Sequence, residues 1–168
     1  MLDKELWLEL QEYVWQHQIQ EVLEVREFIC YNESPILEEK SEVFELEEFI
    51  ENNRRPTLQQ MLFEYIDRKG VKDSTIYKKA GMDRKHFSKI RSNANYRPKK
   101  TTMVSLAFAL ELDKEETEDL LGVAGYSLSG SETYDLVVRF FLEKRIHDLD
   151  RVNEALDNLK LKTFGGVQ

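Results

Sequence analysis

One cysteine, three prolines and seven glycines in 168 residues already exclude several kinds of protein. A lone Cys30 forbids an intramolecular disulfide, so the chain is no small disulfide-stapled scaffold, and its thiol fits a reducing compartment. So few Gly and Pro disfavour a many-turned β architecture. No apolar run approaches the ~20 residues that a membrane span needs. No charged-then-apolar leader opens the chain, so a cytoplasmic protein without a membrane partner is expected. The histidines, His17, His86 and His147, stand far from each other and from Cys30. Zinc sites want several such ligands at short spacing, so no metal is expected. There is no Gly-rich phosphate loop and no Gly-x-Ser-x-Gly elbow, because Gly165-Gly166 lacks a following helix and lysine. The paired carboxylates Glu38-Glu39, Glu47-Glu48 and Glu115-Glu116 read as solvated helix faces. Neither an enzyme nor a cofactor is expected.

What remains is a chain with 33% charged and 41% apolar residues, an ordinary balance for a soluble helical protein. Its net charge of −8 is unevenly spread. Residues 1–55 hold 5 Lys and Arg against 15 Asp and Glu, residues 56–100 hold 12 against 4, and residues 101–168 hold 7 against 13. One basic block therefore sits between two acidic ones. Surface charge acts over about a Debye length, ~8–10 Å at physiological salt, so the local block matters more than the total.

Apolar spacing predicts helices throughout. Leu6, Leu10 and Val14 recur every four residues, which gives a helix to about Gln18; residues 19–31 read as a further helical stretch. Ser34-Pro35 is a good helix start, and the helix it opens, to about Asn52, puts Leu46, Phe49 and Ile50 on one side. Residues 52–56 are the clearest linker. Thr57 and Gln60 form a capping box for a helix burying Leu58, Leu62, Tyr65 and Ile66 and ending near Gly70. Thr101 and Thr102 open another helix, and Asp113 with Glu116 caps the next, to about Gly122. Residues 125–131 read as a second linker, Ser129 with Glu132 as another capping box, and residues 132–161 as a helical hairpin. The expected organisation is an acidic helical region (1–55), a core (56–126) and a C-terminal hairpin with its tail (127–168).

Residues 72–93 are the most informative. Ile76 and Ala80 fall on one side of a short helix that Gly81 can stop in the left-handed conformation. Asp83 can cap a second helix that buries Phe87 and Ile90 and leaves Arg84, Lys85, Ser88, Lys89 and Arg91 largely on the other side. Two helices crossing at a tight glycine turn, the second one basic, is helix-turn-helix geometry.

These residues and their flanking helices resemble the Cro/C1 class of helix-turn-helix domains over about residues 57–125. The match lies in Ile76, Ala80-Gly81-Met82, Asp83, Phe87 and Ile90. It continues through a small-residue helix face at Met103, Leu106, Ala107, Ala109 and Leu110, and through the start signal at Asp113 and Glu116. The chain departs at Tyr77, where the family usually has a small residue. The resemblance implies an all-α, five-helix core, here with added N-terminal helices and a C-terminal hairpin. It also implies a transcriptional regulator that binds double-stranded DNA. Arg84, Lys85, Ser88 and Lys89 would read base edges. Lys72, Ser74, Thr75, Arg91, Asn93, Arg97, Lys99 and Lys100 would contact phosphates. One such domain reads a short site weakly, so a homodimer is expected, with half-sites a helical turn or a multiple apart. The alternative is a non-enzymatic adaptor in which the same helices dock a protein partner. For the acidic first 55 residues, shielding of the basic face, dimerisation and simple packing on the core all remain open.

Overall fold

In the computed structural model residues 4–24 and 42–165 are described, and among them every regular element is an α-helix. α1 (Lys4–Glu24) runs beyond the expected end at Gln18; of the helical stretch read over residues 19–31, residues 25–31 lie outside the described residues. α2 spans Glu42–Asn53, and the start expected at Ser34-Pro35 also lies outside them. The remaining helices are α3 (Leu58–Lys69), α4 (Asp73–Lys79), α5 (Arg84–Ser92), α6 (Lys100–Leu110), α7 (Lys114–Val123), α8 (Thr133–Glu143) and α9 (Leu149–Asn158).

Local chemistry sets most of these boundaries. Thr57 Oγ1 accepts the Gln60 amide while Gln60 Oε1 accepts the Thr57 amide, and Asp113 and Glu116 make the same reciprocal pair at α7. Each box satisfies two of the amides that a helix start leaves without partners. The box expected at Ser129 and Glu132 does not form: α8 starts after Glu132 with no side-chain cap. The Ser129 amide donates instead to Asp135 Oδ2 at 2.7 Å. A carboxylate outcompetes a neutral cap as acceptor.

α6 is the central element, buried from Met103 through Leu110 on every side. A helix apolar all round must be covered all round; α3, α4, α7 and α9 pack against it. Tyr65, expected in the core, is only half-buried. α8 and α9 pair as the expected hairpin, and α1 lies on α8 through buried Leu10, the Tyr13–Phe140 ring contact at 5.5 Å and the Glu9–Lys144 ion pair. A single apolar cluster therefore extends from Leu10 to Phe164. Residues 125–131, read as a linker, are tied down: Leu128 is buried and its carbonyl accepts from Arg139 Nη2 at 3.1 Å. The C-terminal segment is pinned as well, Asn153 bonding both the amide and the carbonyl of buried Phe164.

Candidate nucleic-acid interface

The site is built on the α4–α5 pair. Ile76 and Ala80 of the first helix and Phe87 and Ile90 of the second are all buried; α4 packs on α6, and α5 packs on α4. Between the helices the Gly81 amide bonds the Lys78 carbonyl and the Met82 amide bonds the Tyr77 carbonyl, with Gly81 at φ +64°. This is a Schellman termination, which requires the left-handed conformation at that residue. Asp83 Oδ1 then accepts the His86 amide at 2.7 Å and starts α5. Phe87 and Ile90 face inward, so the 3.6-residue period turns Arg84, Lys85, Ser88 and Lys89 outward, and all four are exposed.

No carboxylate among the described residues pairs with Arg84, Lys85 or Lys89. These three are the uncompensated cations of the face. Lys89 Nζ lies 4.5 Å over the Tyr96 ring, and Tyr96 Oη meets His86 Nε2 at 3.1 Å. Tyr96 thus braces the outer side of α5, a role its place in a polar turn does not announce. Tyr77 neither leaves the interface nor fills it: half-buried, its ring sits 5.7 Å from Phe87 at a 45° tilt. A hollow of about 400 Å³ opens beside it between α4 and α5, lined by Ser74, Arg84, Ser88 and Arg91 among others. A second, of about 540 Å³, lies on the Tyr96 side with Lys85 and Lys89.

The residues expected on phosphates divide into two groups. Lys72, Thr75, Asn93, Arg97 and Lys99 are exposed and Ser74 is half-buried, spread around the ends of α4 and α5 and the turn before α6. Asn93 Oδ1 is engaged by the Asn95 amide at 3.0 Å. Arg91 is engaged too: its guanidinium pairs with Asp73 and lies 5.2 Å from the Phe63 ring, and its carbonyl accepts from Gln59 Nε2. Lys100 turns inward, Nζ 2.5 Å from Asp135 Oδ2, where Asp135 is 2% exposed. A long cationic side chain beside a buried carboxylate is held by that charge, so Lys100 is half-buried against Asp135 and Lys99 is its solvent-facing neighbour.

Glu111 ends α6 in the left-handed region at φ 56° and gathers Lys69 of α3 and Lys79 of α4. Hydrogen bonds from Lys69, then Lys79, hold its carboxyl down to about 2. This clamp fixes α4, and through the Gly81 turn α5, relative to the central helix. Among the described residues no group of three or more His, Cys, Asp or Glu could hold a metal ion, and no helix is long and apolar enough to cross a membrane. No family model, curated protein or solved structure matches the chain.

Proposed function

We propose that this chain is a sequence-specific DNA-binding regulator of Cro/C1 helix-turn-helix type, cytoplasmic and non-enzymatic, with α5 as its reading helix. The observation that carries the reading is the outer side of α5, where Arg84, Lys85 and Lys89 stand exposed without carboxylate partners among the described residues, on a helix whose other side is locked by Phe87 and Ile90. Nine residues at 1.5 Å each make α5 about 14 Å long, enough to follow a few base pairs in a major groove. Arg84 and Lys89 donate to guanine O6 and N7; Ser88 bonds several bases. Lys72, Ser74, Thr75, Asn93, Arg97 and Lys99 place the domain on phosphates. Lys100 and Arg91, spoken for by Asp135 and Asp73, take no leading part.

Binding of the purified protein to random and selected duplexes over a salt series tests this. Arg84→Ala with Lys89→Ala should weaken selected sites and relax base preference, each base contact being worth ~1–3 kcal/mol. Lys99→Ala with Arg97→Ala should weaken every sequence alike and flatten the salt slope. No binding to any duplex at low salt overturns the reading. The second reading, a protein-docking adaptor, is favoured by the apolar side chains that α1 and α2 expose, notably Trp15 and Phe44.

A further inference from the structure

α2 holds four large apolar side chains that stand open to solvent. Phe44 is 74%, Phe49 64%, Leu46 56% and Ile50 45% exposed. Leu46, Phe49 and Ile50 stand at i, i+3 and i+4, one stripe on one side. Every α2 side chain from Phe44 to Asn53 is exposed, and a 12-residue helix gains little stability without tertiary burial. Its charge is equally one-sided. The helix holds five glutamates and no Lys, Arg or His, and its last turn has no cation to offset the negative end of the helix dipole.

The complementary surface is present on the same molecule. Residues 56–100 hold 12 Lys and Arg against 4 Asp and Glu. On the α4–α5 face within that block Arg84, Lys85 and Lys89 stand exposed, and the hollow beside the half-buried Tyr77 is lined by Arg84, Ser88 and the Asp73–Arg91 ion pair among others. An apolar stripe flanked by carboxylates and a half-buried tyrosine beside three exposed cations match in sign. A like surface does not: two α2 helices face to face would set five carboxylates against five.

We infer that α2 of one copy seats on the α4–α5 face of a second copy, and that the exchange is reciprocal. Each molecule presents both surfaces to solvent at once. Two identical contacts related by a two-fold axis close the assembly as a dimer. The dimer covers the surface proposed for DNA, so duplex and second copy compete. That competition rests on the DNA-binding reading; the dimer contact does not, and it is measured without DNA.

Sedimentation of the full chain across protein concentration and salt is the test. At low ionic strength the protein should reach twice its monomer mass, and it should return to monomer in molar salt, where the Debye length is about 3 Å. The combined variant Glu47→Gln, Glu48→Gln, Glu51→Gln should stay monomeric under the same conditions, as should Arg84→Gln, Lys85→Gln, Lys89→Gln. All six positions are exposed, and unchanged thermal unfolding confirms that each variant is folded. Mixed together, the two variants should form a heterodimer weaker than the parent dimer, because one keeps α2 and the other keeps the basic face, which leaves one of the two contacts intact. A single mass at every salt, or a dimer that survives in either variant, overturns the inference. If the dimer forms but duplex DNA neither binds nor dissociates it, the contact stands and the DNA-binding reading falls.

Discussion

Alanine at Gly81 should destabilise this protein, whereas alanine at Gly122 should stabilise it. A Cβ built at either position meets no atom within 4 Å, so side-chain packing cannot separate the two. Backbone conformation can. Gly81 sits at φ +64° in the turn between α4 and α5, while Gly122 lies inside α7. The left-handed conformation costs an L-residue ~1–2 kcal/mol, and glycine to alanine returns ~0.4–1 kcal/mol by restricting the unfolded chain. The net expectation at Gly81 is a loss of about 0.5–1 kcal/mol. At Gly122 only the favourable part operates, a gain of about 0.5–1 kcal/mol. For a chain of this size 1 kcal/mol moves the melting temperature by ~2–4 °C, so the two variants should melt several degrees apart. Valine at Gly81 should cost more than alanine, and asparagine less, since a short polar side chain tolerates this region. Urea unfolding followed by circular dichroism gives each value. Shifts in the same direction at both glycines, or valine equal to asparagine at Gly81, would refute the turn geometry. A loss beyond ~3 kcal/mol in Gly81→Ala would demand a steric contact that the open space there does not supply.

Lys100→Met should cost about 3 kcal/mol, because it strips the buried Asp135 carboxylate of its cation while the Ser129 amide stays, whereas Lys99→Ala stays within ~0.5 kcal/mol; equal effects in denaturant melts would remove the Lys100–Asp135 pair from the account. Phe164→Ala should cost about 3 kcal/mol despite its place near the C-terminus, and a free tail would cost nothing. Glu111→Gln should be less stable than the parent near neutral pH. A carboxyl lowered from 4.5 to about 2 contributes stability above its unfolded value and loses it as pH falls through the folded one. The gap between the two proteins should therefore narrow between pH 4.5 and 2, and a gap constant with pH removes the clamp. Its side chain is 46% exposed, so solvent screening keeps the gap well below what the shift alone implies.

The helical character of the chain and several of its boundaries are local matters, which is why they can be read from spacing. Thr57 with Gln60, Asp83 before Arg84, and Asp113 with Glu116 place donor and acceptor within one turn, and no distant residue is needed to complete them. The inward direction of Phe87 and Ile90, and with it the outward direction of Arg84, Lys85, Ser88 and Lys89, likewise follows from the helical period and one buried side. Choices between far-separated residues were hidden. Asp135 takes both Lys100, 35 positions away, and the Ser129 amide, which cancels a capping box and ties down a lysine. Arg91 goes to Asp73 and Lys89 to the Tyr96 ring. α2 shows the converse: its amphipathic stripe is plain in the sequence, yet whether that stripe meets its own chain depends on where the rest of the chain goes. Periodicity says which side of a helix is apolar, whereas burial depends on the neighbours that the fold brings to it.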